Sequence, residues 1–201
     1  TWSGRRARWF RVCYGIIMEL SVVVLAVLAP ASLEARLKAP VSKTQPLSDR
    51  IVTALLVAAL LGWFAFIPFD FFYLNLLPLP GLAVSLFGVA LFLAGYAIII
   101  VAIYQNSFAI PIVEDQSERG QVLVDNGLYA FVRHPFYLGI MFFLEGIALW
   151  LESYASLIAT TLILAVLIAR IVVEERVLQK TLSGYTEYVG RVRYRLIPLI
   201  W

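Results

Sequence analysis

Residues 127–175 read GLYAFVRHPFYLGIMFFLEGIALWLESYASLIATTLILAVLIARIVVEE. Two apolar runs, 136–152 and 154–173, follow one another with only a few residues around Glu152 and Ser153 between them. Runs of this length approach the ~20 residues that cross a bilayer core as a helix. So short a connection forces them into a tight antiparallel helical hairpin. Polar groups gather at the hairpin's open end. Arg133 and the single histidine, His134, precede the first run, while Arg170, Glu174 and Glu175 close the second.

Three more apolar runs lie upstream, at about 12–30, 51–69 and 82–104. The first is broken by Glu19 and ended by Pro30, and the third carries Gly88 and Gly95, small residues that permit close helix packing. The composition agrees with a membrane protein. The hydrophobic share is 62% over 201 residues, against roughly 45–50% in soluble domains. The expected fold is therefore an all-α membrane protein of about five transmembrane helices. Its expected division is an N-terminal part of three spans, 1–104, and a core, 105–201, made of a polar loop, the hairpin and a charged, aromatic tail. The tail is expected to be helical over Glu174–Leu182 and to stop near Gly184. The segment QVLVDNGLY reads as a short extended piece with a turn at Asn126-Gly127.

Charge placement sets an expected orientation. One side of a five-span arrangement holds Arg36, Lys38, Lys43 and Arg50, then Arg119 and Arg133, then Arg176, Lys180, Arg191, Arg193 and Arg195. The other holds only Arg5, Arg6, Arg8 and Arg11. The bias of Lys and Arg toward the cytoplasm puts the 105–135 loop and the tail there, against the vote of the N-terminal arginines. A net charge of +3, all of it beside membrane spans, suits anionic headgroups and gives no reason to expect nucleic acid. With one Cys and one His, no metal centre is expected.

Arg170 lies inside an apolar run, where an arginine costs ~2.5–3.5 kcal/mol at a helix centre and less near an end. Snorkelling to the headgroups would explain it alone. Its spacing from Glu174, i to i+4, puts both on one helical face at the hairpin mouth and favours a ligand site. Glu175 points roughly 100° away and reads as an interfacial charge. Pro135 suits the first helical position behind His134, and the open N–H groups of that helix start favour an anionic group. Glu19, Asp70 and Glu145 show no evident partner in sequence and read as packing or interface residues.

GLYAFVRHPFYLG, Arg170, the Glu174-Glu175 pair, Tyr185-x-x-Tyr188 and RYRLIP together resemble the isoprenylcysteine carboxyl methyltransferase family, whose superfamily includes phospholipid N-methyltransferases. The resemblance covers about 105–201. It implies an integral membrane enzyme that uses S-adenosylmethionine, releases S-adenosylhomocysteine and admits a lipophilic acceptor from the bilayer. By motif position, Gln121, Val122, Leu123, Val124, Tyr129, His134, Pro135, Phe136, Tyr137 and Glu174 would contact the cofactor in a pocket open to the cytosol. Arg170 would align the acceptor, which the resemblance makes an isoprenylcysteine carboxylate. A phospholipid amine is the alternative acceptor, and Glu174 or a water would then take its proton. RHPxY also occurs in sterol reductases, so an NADPH-dependent sterol or isoprenoid reductase competes, as does a non-enzymatic scaffold. Thr181-Leu182 stands where the family's tail reads Phe-Gly.

Overall fold

The computed structural model describes residues 2–37, 46–109 and 120–201. Lys38, Lys43, Glu114, Asp115, Glu118 and Arg119 fall outside these residues. Seven α-helices follow in order: α1 (Trp2–Leu28), α2 (Pro30–Leu37), α3 (Leu47–Phe69), α4 (Leu82–Gln105), α5 (Pro135–Trp150), α6 (Tyr154–Thr181) and α7 (Tyr185–Arg191). Among the described residues there is no strand. Four segments are long and apolar enough to cross a bilayer: Arg8–Leu28, Leu47–Leu74, Leu82–Gln105 and Tyr154–Thr181. The chain is thus a multi-pass membrane protein. The fifth helix of the bundle, α5, has 16 residues. At a 1.5 Å rise it is about 24 Å long, less than the ~30 Å of a hydrocarbon core.

Helix boundaries differ from the sequence expectation where polar residues were read as loop or tail. The 31–50 stretch opens with α2, because Pro30 cannot continue α1 but is pre-set to start a new helix. Glu174–Leu182 is the end of α6, since Arg176, Gln179 and Lys180 are good helix formers that prolong it to Thr181. Gly184, at φ 79°, then turns the chain into α7. Residues 121–125 are extended but join no ladder, and Gly127–Ala130 forms a 3-10 turn.

Side-chain contacts fix the helix directions. Asp49 meets Arg170 and Trp63 donates to the Ser156 carbonyl at 2.8 Å, so α3 and α6 are antiparallel. Gly88 faces Gly146 and Gly95 faces Gly139, so α4 and α5 are antiparallel too. These four glycines bring two backbones together: a Cβ at Gly88 would lie 2.6 Å from the Trp150 nitrogen, and one at Gly139 would lie 2.9 Å from the Gly95 carbonyl. α1 leans on this pair through Tyr14 against Phe143 and Phe10 against Trp150. A core of Trp63, Ile67, Phe92, Leu144, Ile147, Ile163, Leu167 and Ile171 fills the centre.

One end of the bundle therefore collects α2, the start of α3, residues 105–109 and 120–134, the start of α5, the end of α6 and α7. The other end is closed by a polar knot the sequence did not announce. Asp70, buried, accepts the Ser153 hydroxyl at 2.7 Å and the Leu76 amide at 3.1 Å, so it does have partners. Ser153 also caps α6 by accepting the Ser156 amide.

Candidate active site

The short α5 leaves a recess at the first end, because α6 runs on beyond the level at which α5 begins. The floor is laid by the Arg133-His134 dipeptide. Its amides donate to the Tyr194 and Arg195 carbonyls at 2.9 Å each, pinning the tail beneath the start of α5. Gly127, at φ 58°, lets the chain turn tightly under Gln105, whose side-chain oxygen accepts the Leu128 amide at 2.9 Å. The Tyr188 hydroxyl donates to the Tyr129 carbonyl at 2.7 Å and ties α7 to the 3-10 turn.

Glu175 is the hub of this floor. Its Oε1 accepts from Arg133 Nε at 2.7 Å and faces His134 Nε2 at 3.1 Å; its Oε2 accepts from Arg195 Nε at 2.8 Å. A carboxylate can only accept, so His134 carries its proton on Nε2 in this contact. Arg133 Nη1 also donates to the Val192 carbonyl at 2.7 Å. The reading of Glu175 as an interfacial charge is thereby corrected: it is 4% exposed. The 100° offset that removes it from the Arg170 face points it at the Arg133-His134 dipeptide.

A second chain of polar contacts runs down the other face of α6. Tyr137 donates to Glu174 Oε2 at 2.7 Å and accepts from Arg170 Nε at 2.8 Å. Arg170 Nη1 lies 3.1 Å from Asp49 Oδ1 and also reaches the Thr53 hydroxyl. Arg170 and Asp49 are 2% and 0% exposed. The guanidinium is therefore already compensated by a carboxylate from α3, as burial of a charge requires. Glu174 Oε1, by contrast, takes no donor among the described residues.

Above these groups lies an open cleft of about 780 Å³, its solvent-filled mouth included. Every expected cofactor contact except Pro135 lines it: Gln121 to Val124, Tyr129, His134, Phe136, Tyr137 and Glu174. Pro135 is buried beneath, at the first position of α5, where its ring packs and offers no donor. Arg170 lies behind Tyr137 and does not line the cavity. Sequence reasoning passed over Asn106, Leu178 and Leu182 as lining residues. It quoted Tyr185 and Tyr188 only as motif positions, although their i, i+3 spacing on a short helix signalled a shared face.

Two features show what the cavity lacks. The Tyr185 hydroxyl is the one buried side-chain polar atom without a partner among the described residues, and Tyr185 is 4% exposed. Burial, with the Glu175 and Glu174 charges, pushes its pKa up, so it remains an O–H donor. The backbone of 121–124, extended along one wall, pairs with no other described residue. An orphaned donor, an open backbone edge, one free carboxylate oxygen and aromatic faces fit a ligand with cationic, hydroxyl and ring portions, as S-adenosylmethionine has.

A family profile described as phospholipid methyltransferase matches residues 84–184, just over half of the chain. The chain belongs to the phospholipid methyltransferase family. It is thus a membrane methyltransferase of a family that uses S-adenosylmethionine. The matched stretch spans α4 to α6 and excludes α1 to α3, and with them Asp49 and Thr53. No curated protein shows significant similarity to the chain.

Proposed function

We propose that this membrane methyltransferase transfers a methyl group from S-adenosylmethionine to the amine of a phospholipid headgroup. One observation carries the choice of acceptor: Glu174 turns an open carboxylate oxygen to the cavity, while the nearby arginines Arg133 and Arg170 are engaged by Glu175 and Asp49. An isoprenylcysteine carboxylate, favoured by the sequence resemblance, would need a cation where Glu174 stands. An amine suits a carboxylate. The family match supports the same acceptor.

In this reading the methyl-transfer core is 105–201, seated on the helices of 1–104. Gln121 to Val124, Tyr129, Phe136 and Tyr185 cradle the donor, and His134, fixed by Glu175, forms part of the wall. When bound, S-adenosylmethionine supplies a methyl group already activated by the sulfonium charge. The chain's own task is positioning and exclusion of water. The headgroup ammonium would first pass a proton through Glu174 Oε1 to water, and the free amine would then take the methyl group and leave S-adenosylhomocysteine. Positive charge moves from sulfur to nitrogen, and a fixed carboxylate at Glu174 stabilises both ends of that path. Tyr137, held by Arg170, keeps the other Glu174 oxygen in place, which makes Arg170 a positioning residue in place of an acceptor-binding one. The bias of Lys and Arg favours a cytoplasmic cavity, where the methyl donor is made.

Calorimetric titration of purified protein with S-adenosylmethionine and with NADPH tests the cofactor. Saturable binding of the first, weakened in Glu174→Gln, is expected. Binding of NADPH alone would restore the reductase reading.

A further inference from the structure

Four arginines at the cavity end have a described carboxylate: Arg133 and Arg195 share Glu175, Arg170 has Asp49 and Arg191 has Asp125. Arg36, in the last turn of α2, has none among the described residues. Its Nη2 donates to the Ala109 carbonyl at 2.5 Å, its Nε reaches Ser32 Oγ at 3.4 Å, and its guanidinium lies 5.0 Å over the Phe136 ring. Ala109 and Phe136 both line the cavity. Burial pulls the Arg36 pKa down, opposed by its proximity to Tyr129 and Tyr137, yet a guanidinium stays charged at neutral pH. A half-buried cation with unused donors and no carboxylate among the described residues is costly unless an anion completes it.

The position of α2 says which anion. Leu33, Ile99 and Phe136 all pack against one cluster of Leu25, Ala29 and Ile103, so α2 lies near the ends of α1, α4 and α5, and Leu37 is 78% exposed. That is the level of the headgroups, where lipid phosphates lie just outside the apolar spans. We propose that Arg36 binds the phosphodiester of the acceptor lipid, through its unused N–H donors, and so delivers the headgroup amine past Phe136 to Glu174. This rests on the amine-acceptor reading and adds a specificity residue outside the matched family stretch. A guanidinium suits the task, because its planar fork pairs two phosphate oxygens at once.

Binding to cofactor-free protein separates this inference from the methyl-transfer reading. Short-chain phosphatidylethanolamine and a phosphate-free long-chain alkylamine are titrated calorimetrically into wild type, Arg36→Gln and Arg36→Lys. Losing a charge-assisted contact should weaken phosphatidylethanolamine binding by roughly tenfold in Arg36→Gln. Arg36→Lys should fall between, and alkylamine binding should stay within about twofold. Equal losses for both ligands would mean that Arg36 only supports the fold, and unchanged phosphatidylethanolamine binding would overturn the proposal outright. S-adenosylmethionine affinity, measured alongside, should not change; a drop there would assign Arg36 to the donor's carboxylate. If wild type binds phosphatidylethanolamine through Arg36 but never methylates it, the acceptor reading fails and the binding site stands.

Discussion

Replacing Glu175 by Gln should loosen the entire cavity floor. The side chain is 5% exposed, and its carboxylate is shared by Arg133, His134 and Arg195. The Arg133 side chain is itself 3% exposed, so it would be left as a buried cation without its counter-charge. Breaking one half of a buried pair costs ~3–5 kcal/mol. Arg195 is 35% exposed, and water would take over much of its share. At about 2–4 °C per kcal/mol for a chain of this size, Glu175→Gln should lower the melting temperature by about 6–20 °C. Arg195→Ala should cost no more than about 4 °C by the same arithmetic. Tryptophan fluorescence of detergent-solubilised protein during a thermal ramp reads both, with Arg133→Ala as a third arm expected to match Glu175→Gln. A fall below about 2 °C for Glu175→Gln, or equal falls for Arg133→Ala and Arg195→Ala, would refute the assignment of Glu175 as the hub.

Three further outcomes follow from the geometry. Gly95→Ala should destabilise by ~1–3 kcal/mol through overpacking, because its Cβ would press on the Phe143 and Gly139 backbones. Gly62→Ala, with nothing within 4 Å, should instead be neutral or gain up to ~1 kcal/mol; thermal ramps that rank the two alike would contradict the close α4–α5 packing. Tyr185→Phe removes the orphaned hydroxyl, so unliganded protein should be as stable or slightly more so, while S-adenosylmethionine affinity falls by roughly threefold to tenfold in calorimetry. Glu174→Gln should keep its hydrogen bond from Tyr137, and the melting temperature with it, but lose at least about tenfold in methyl transfer measured with radiolabelled donor.

Much of this was legible in the sequence because it depends on periodicity and short spacings. The apolar runs gave the helices, and the few residues near Ser153 gave the hairpin. The i, i+4 relation of Arg170 and Glu174 put them on the face where Tyr137 joins them. What stayed hidden depends on what lies opposite each face. A helical wheel showed that Glu175 points away from Arg170 but not that the Arg133-His134 dipeptide waits there. Asp49 is 121 residues from Arg170 and reads alone as one more charge beside a span. Because that pairing was invisible, Arg170 looked available for a substrate carboxylate. Asp70 illustrates the same limit, since its partner Ser153 is 83 residues away. The recess itself follows from a length mismatch between α5 and α6, which the sequence blurred by reading the end of α6 as tail.

The acceptor is the claim on which the account turns. Purified protein would be placed in phosphatidylcholine vesicles with radiolabelled S-adenosylmethionine and offered, in parallel, phosphatidylethanolamine and a farnesylated cysteine carboxylate. Label appearing in N-methylated phosphatidylethanolamine, with none above background in a farnesylcysteine methyl ester, is the predicted result. Label in the methyl ester and none in the phospholipid would contradict it, and would return Arg170 to the role of carboxylate holder.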